Sequence, residues 1–155
     1  MWRVLQASLR RLQGRRDLRR VRSVLEQVGR GEARRDGLRL NKICNRLEIQ
    51  WRARNLHAWD GDLPLERRAP LFVEQTLADT EAVIMRLFEA LPQVDAIDLT
   101  VLEPESDHTM LVGTVSRSVV TGHRRPLSVK MRLSELGVQF RLAGSHFEAL
   151  DTGQR

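Results

Sequence analysis

Apolar residues recur at helical spacing in two stretches near the start of the chain, with gaps of three, four and three residues in each. The first stripe consists of Trp2, Leu5, Leu9 and Leu12, and the second of Leu18, Val21, Leu25 and Val28. Such spacing places each set on one side of a helix. Because the two stripes are out of register across Gly14, the pattern predicts two short helices or one kinked helix.

The stretch 29–37 contains three glycines and favours a polar linker. Helical spacing then returns, which predicts a helix over 38–57 whose apolar face packs in a core. That face consists of Leu40, Ile43, Cys44, Leu47 and Trp51. We expect Cys44 to be buried there as a small hydrophobe. Trp51 and Trp59 are expected to anchor the turn that follows, where Asp-Gly and proline favour a reversal.

Residues 70–91 carry the clearest helical stripe of the chain, which begins beside Pro70 and stops at Pro92. Beyond it the spacing changes to the alternation that is typical of strands. The pattern predicts a hairpin over 95–120, a short helix over 127–136 that ends at Gly137, and a second hairpin over 138–150.

These elements predict an α+β protein in which arginine-rich N-terminal helices precede an αββαββ module. We expect the module to form a four-stranded antiparallel sheet with both helices on one face, a circularly permuted ferredoxin-like arrangement. Its element order resembles that of small assembly domains in bacterial secretion and pilus machines, a resemblance of order alone that covers roughly half the chain. The expected division is a basic helical region with its linker over 1–36 and an α+β domain over 37–155.

Charge is distributed unevenly along the chain. The 155 residues hold 26 basic and 20 acidic side chains. Residues 1–68 hold 18 Lys and Arg against 8 Asp and Glu, whereas residues 69–155 hold 8 against 12. A basic first part favours an anionic partner such as nucleic acid, a membrane surface or an acidic protein face. A GC-rich genome would also raise arginine over lysine, so both explanations stay open.

The composition excludes several broad classes. With 41% hydrophobic and 30% charged residues, the chain is typical of a soluble globular protein. It has no apolar run of about 18 residues and no apolar segment of the signal-peptide kind, so we expect neither a transmembrane helix nor secretion. A single cysteine forms no disulfide framework. The expected location is cytoplasmic and reducing.

The sequence contains no recognisable catalytic motif. Its four histidines lie far apart, and neither a Gly-x-Ser-x-Gly elbow nor a phosphate-binding glycine loop occurs. The acidic stretch 103–108 has the ligand types of a cation site but not the spacing of an EF-hand, and such a stretch is more typical of a solvated turn. We assign no catalytic residue, metal, cofactor or small-molecule substrate, and cation binding by 103–108 stays open.

These observations predict a non-catalytic interaction or assembly protein that uses the two apolar stripes to bind a protein partner or a second copy of itself. Nucleic-acid binding is the alternative, because arginine rows on helices suit a phosphate backbone. Binding to an anionic membrane surface is a second alternative. The candidate anion-binding residues are Arg10, Arg11, Arg15, Arg16, Arg19, Arg20, Arg22, Arg30, Arg34 and Arg35.

Overall fold

The computed structural model describes residues 2–28, 37–122 and 128–151, with the side chains of the first helix described from Gly14 onward. The helices are α1 (Trp2–Val28), α2 (Leu65–Ala90), α3 (Arg117–Thr121) and α4 (Val129–Glu135). The strands are β1 (Arg39–Ile43), β2 (Arg46–Arg52), β3 (Ala96–Leu102), β4 (Thr109–Ser116), β5 (Val138–Ala143) and β6 (His146–Glu148).

A single helix forms where the sequence favoured a break. α1 is continuous through Gly14, so the first of the two predicted alternatives, two short helices, is wrong. A glycine inside a helix costs only about 1 kcal/mol relative to alanine, and the leucines, arginines and glutamines around it are good helix formers. The predicted linker lies outside the described residues except for Gly37.

The helix predicted over 38–57 is also wrong, because this segment forms the hairpin of β1 and β2. Every second residue of β2 is buried, namely Leu47, Ile49 and Trp51. These residues fit helical spacing over a short stretch, but the two-residue period prevails because it places all three on one face of a sheet. The hairpin turns at Cys44, which has φ 52° and an exposed thiol, so its predicted burial is wrong.

The chain between β2 and α2 differs from the prediction at Trp59. This residue lies in a short 3₁₀ helix, Ala58–Asp62, and is 83% exposed. It stacks on His57 with 5.9 Å between ring centroids. Trp59 therefore does not anchor the turn by burial, whereas Trp51 is in the core.

The helix predicted over 70–91 is confirmed as α2, which begins earlier than predicted. The helix begins at Leu65 after Pro64, so Pro70 lies inside it and not in its first turn. Pro70 has no N–H to donate, and the helix continues past this position because its inner side is extensively buried. The buried residues include Val73, Leu77, Val83, Ile84, Leu87 and Phe88.

The three remaining predicted elements are present, except that residues 117–120, predicted as the end of the first hairpin, lie in α3. β3 with β4, and β5 with β6, form the two expected hairpins, and α4 lies between them. The Oγ of Ser128 accepts a hydrogen bond from the backbone N–H of Met131 at 3.3 Å and caps α4. Gly137 follows α4 with φ 96°, a conformation that favours glycine after a helix.

The six strands lie side by side in chain order from β1 to β6. Every neighbouring pair is antiparallel except β2 and β3, which are parallel and connected through α2. The α+β class is confirmed, but the four-stranded antiparallel sheet in permuted ferredoxin-like order is wrong. That order would place β6 beside β4, whereas β4 pairs with β5 because the strands approach closely at Gly113 and Val138.

Helices α1, α2 and α4 pack with one face of this sheet in a single core cluster. α1 contributes Val21, Val24 and Leu25 to the cluster, and α4 contributes Leu133. Alternate residues of the strands point the other way and are largely polar, so the opposite face of the sheet is open to solvent.

Candidate interaction surfaces

α1 has opposite chemistry on its inner and outer sides. The inner side buries Val21, Val24 and Leu25 and also carries Asp17, which is 6% exposed. A carboxylate in such a position requires a partner, and the Nζ of Lys42 donates to it at 2.8 Å. This ion pair fixes α1 to the edge strand β1.

The outer side of α1 is a row of arginines. Exposed side chains there belong to Arg15, Arg16, Arg19, Arg20 and Arg22. Arg20 donates to the carbonyl of Ala90 at 3.4 Å. The other four have no hydrogen-bond or ion-pair partner within the part of the chain that the structure describes. Their charges are therefore available to an anionic partner.

The other predicted site residues fall into three groups. Leu18 and Val28 are half-buried and Val21 and Leu25 are buried, so the second stripe packs inside this chain. Only the backbone is described, as part of α1, for Trp2, Leu5, Leu9, Leu12, Arg10 and Arg11. Outside the described residues lie Arg30, Arg34 and Arg35.

The first half of α1 continues past the end of α2. The helices run antiparallel, since Gln27 contacts Arg86 and Arg20 contacts Ala90, the last residue of α2. Residues 2–13 therefore lie beyond that end and span about 18 Å, at about 1.5 Å per residue.

Helical geometry fixes the side of α1 on which the first stripe lies. At about 100° per residue, positions 2, 5, 9 and 12 are rotated by roughly 120° from the inner side. They lie on the same side as Arg16, Arg19 and Arg20, whereas Arg15 and Arg22 are rotated by about 100–120° from the centre of the stripe. One side of α1 thus carries an apolar stripe followed by a cationic row, and we call this side the outer face of α1.

The acidic stretch 103–108 connects β3 to β4 and binds an arginine of its own chain. Arg52 donates to the carbonyls of Glu103 and Ser106 and pairs with the carboxylate of Asp107. The Nδ1 of His108 lies 3.5 Å from an oxygen of Glu103. Among the described residues, no three His, Cys, Asp or Glu side chains are grouped as metal ligands. The cation that this loop holds is the guanidinium of β2.

The open face of the sheet carries an ion pair between β2 and β3. Asp98 accepts hydrogen bonds from the guanidinium of Arg46 and from the hydroxyl of Thr114. The hydrogen bond from Arg46 holds the pKa of Asp98 below its ordinary value of 3.8, against a smaller opposing effect of burial. The side chain of Asp98 is 26% exposed, so solvent screens this pair only in part.

Replacing Asp98 by asparagine should lower the free energy of unfolding by about 1 kcal/mol at neutral pH, as expected for a well-aligned ion pair near the surface. The folded state favours the carboxylate more than the unfolded state does. The contribution is therefore complete above about pH 4 and is lost as the pH falls through the lowered pKa. Urea denaturation of both proteins across this range measures it, and a pH-independent difference would contradict the assignment.

The enclosed space between α1, α2 and β2 is small. This cavity measures about 40 Å³ and is bordered by Leu25, Trp51 and the ion pair of Arg54 with Asp79. The Oγ1 of Thr76, which also lines it, has no hydrogen-bond partner. Small-molecule sites usually occupy about 300–1,000 Å³. The cavity has room for water only.

The outer side of α2 is a surface that the sequence interpretation missed. It exposes Leu71 and Ala78 and part of Ala82 and Met85. These residues recur at helical spacing, so the signal was present in the sequence. The larger side chains of the inner stripe explain the helical pattern of α2 by themselves, so that pattern gives no reason to look for a second stripe on the outer side.

In the part of the chain that the structure describes, no helix combines the length and the hydropathy needed to cross a membrane. Comparison with protein families, with curated protein sequences and with solved structures gave no match for this chain. The inference of function therefore rests on the surfaces described above.

Proposed function

We propose that this protein is a non-catalytic assembly component that docks through the outer face of α1 onto another protein. The partner has an apolar groove bordered by acidic side chains. The observation that carries this proposal is the order of the outer face, in which an apolar stripe precedes a cationic row on one continuous helix. Apolar anchors at this spacing suit a hydrophobic groove, and the neighbouring arginines suit an acidic border.

The body of the protein supports this role because it holds the second half of α1 in place. Val21 and Val24 are in the core, and Asp17 is paired with Lys42. The first half of the helix is thereby presented in a defined direction past the end of α2. A docking element that is already helical loses less conformational entropy on binding than a disordered one.

The proposal places the protein in the cytoplasm. Its one cysteine is an exposed free thiol at the hairpin of β1 and β2. Free thiols of this kind persist in reducing compartments, where disulfides are rare.

Nucleic acid is the second candidate partner, and one observation favours it. Arg15, Arg16, Arg19 and Arg22 are exposed without an acidic partner among the described residues. Four cations on one side of a helix would contact a phosphate backbone without reading its sequence. Binding of this kind weakens steeply as the salt concentration rises, whereas docking of the apolar stripe does not.

Site-specific photo-crosslinking from the outer face of α1 separates the two candidates. A benzophenone side chain replaces Leu9 in one variant and Arg19 in another, and Ser118, exposed on α3, is the control position. The full-length variants are irradiated in extract from the source cells at low and high salt, with and without nuclease. We expect discrete protein adducts from position 9 that survive nuclease and high salt, and few from position 118.

A second substitution, either on the apolar stripe or at a control position, is added to the position 9 variant to show whether the adducts depend on the stripe. Adding Leu5→Gln should reduce the adducts from position 9 about fivefold or more, because it removes an apolar anchor, whereas Ser134→Gln on exposed α4 should not. Adducts from position 9 that are indifferent to Leu5→Gln would contradict docking through the stripe. Adducts from position 19 that disappear with nuclease and high salt would favour the nucleic-acid candidate.

A further inference from the structure

We propose that the outer side of α2 is a two-fold interface through which two copies of this chain pair, with their α2 helices antiparallel and crossing at Ala78. This inference rests on the proposed function, since it names a second copy as one partner of the assembly component. It concerns a different surface from the outer face of α1, so the two can be tested separately.

The surface is one continuous stripe of α2. Its residues recur at gaps of four, three, four, four, three and four, which keeps them within about 80° of the helix circumference. Charged residues occupy its two ends, and its middle is small or apolar except for Glu74. In order, the stripe consists of Arg67, Leu71, Glu74, Ala78, Ala82, Met85 and Glu89.

α2 is flanked by the other helices, and the stripe lies between them. On one side Arg86 donates to Gln27 of α1 at 2.9 Å, and on the other Arg132 of α4 pairs with Glu81 at 2.6 Å. Most of the stripe is turned away from the core, and only Met85, which is half-buried, also packs against it. Leu71 remains 38% exposed although it is a large apolar residue on the central helix. Exposed apolar residues grouped on a charged surface are typical of an interaction site.

A two-fold axis at Ala78 pairs the two large apolar side chains of the stripe with each other and places Glu74 opposite the partner's small Ala82. Ala78 then meets the same residue of the partner, and Leu71 lies opposite the partner's Met85. Small residues at a crossing allow two helix axes to approach to about 8 Å. A symmetric contact occurs twice, so each favourable pair counts double.

The charged ends of the stripe favour a second copy over an unrelated protein. In the same register Arg67 lies opposite the partner's Glu89, and the partner's Arg67 opposite Glu89. Neither side chain has a hydrogen-bond or ion-pair partner elsewhere in the described part of the chain. Opposite charges at equal distances on both sides of Ala78 are brought together twice by a two-fold axis, whereas an unrelated partner would have to supply its own matching charges.

The size of the surface sets the expected affinity. One helix face from each chain buries less than the roughly 1,200–2,000 Å² of a stable specific interface. We therefore expect a dissociation constant on the order of 10 µM, in the range of transient pairs. Sedimentation velocity of the full-length protein between about 5 and 200 µM should show a monomer that converts to a dimer.

Disulfide trapping tests the position of the axis. In a Cys44→Ser background, Ala78→Cys should form a disulfide-linked dimer under mild oxidation at least about tenfold faster than Ser118→Cys on exposed α3. Both substituted positions are exposed, so circular dichroism and urea denaturation can confirm that the variants are folded. Equal rates at the two positions, or a wild-type protein that stays monomeric at 200 µM, would overturn the proposal.

Charge reversal tests the register. Arg67→Glu and Glu89→Arg should each weaken the dimer about tenfold, because each creates two like-charged pairs, and the double variant should restore it to within about threefold. Two equally weak single variants without rescue in the double variant would overturn this pairing. Crosslinking from position 9 is independent of this result, so a monomer that still yields those adducts removes the α2 interface and leaves the proposed function standing.

Discussion

Replacing Gly113 by alanine should destabilise the protein by about 2–3 kcal/mol, at the upper end of the range for overpacking. A Cβ at this position would lie 2.5 Å from the carbonyl oxygen of Gly137 and 2.8 Å from the Cα of Val138. Both obstacles are backbone atoms of the segment that joins α4 to β5. They cannot move aside as a flexible side chain would, so β4 and β5 must separate where their three residue pairs join.

Gly61 provides the matched control for this experiment. It lies in the exposed turn before α2, where a Cβ would meet no atom within 4 Å and no positive φ is required. Urea denaturation should therefore show Gly61→Ala within about 0.5 kcal/mol of the wild-type protein, as for an ordinary surface substitution. Equal stability of the two variants would show that β4 and β5 do not approach each other as described.

Replacing Arg117 by alanine should cost about 3 kcal/mol, because this side chain closes the end of α2. Its guanidinium donates to the carbonyls of Phe88 at 3.1 Å, Leu91 at 2.8 Å and Val94 at 2.8 Å. It also lies 4.7 Å from the centroid of the Phe88 ring. Hydrogen bonds from a charged donor contribute about 1.5–3 kcal/mol, and alanine removes this donor from the carbonyls of Phe88 and Val94, whereas Leu91 still accepts from the N–H of Val94.

Arg117→Lys separates the geometry of these contacts from the charge of the side chain, and Arg22→Ala is the surface control. Lysine keeps the charge but cannot reach three carbonyls with a planar fork, so Arg117→Lys should recover less than half of the lost stability. Arg22→Ala removes an exposed arginine from α1 and should change stability by less than about 0.5 kcal/mol. If Arg117→Ala were no more harmful than Arg22→Ala in urea denaturation, the assigned contacts would be incorrect.

The sequence predicted those elements whose signals are local. α2 has a long apolar stripe, and α4 is bounded by the cap Ser128 and by Gly137 in a left-handed conformation. The two hairpins combine alternation with turn residues. In each case the element is formed within one continuous segment of the chain, so a local pattern is sufficient to identify it.

The order of the strands could not be predicted in the same way. β1 and β2 contain residues that fit a helix and a strand equally well, and only pairing with β3 decides between them. That pairing joins Leu47 to Ile97 across a long stretch of chain, and no local pattern encodes it. The same limit applies to β5, whose neighbour is determined by the close approach at Gly113.

The candidate sites, too, could be predicted from the sequence only in part. Helical spacing identified the arginine row of α1, but not which of the two stripes the core would bury. That depended on Gly14 remaining helical, which rotates the first stripe away from Val21 and Leu25 and places it on the side of the arginines. The ion pair of Asp17 with Lys42 joins residues 25 positions apart and gave no signal in the sequence.

Photo-crosslinking from position 9, with and without Leu5→Gln, is the decisive test of the proposed docking, because it shows whether the outer face of α1 contacts a protein. If α1 docks through this face, the experiment gives discrete protein adducts that resist nuclease and high salt and that fall about fivefold or more with Leu5→Gln. If position 9 gave no protein adducts while position 19 gave nuclease-sensitive ones, α1 would be a grip for nucleic acid and the assembly role would be contradicted.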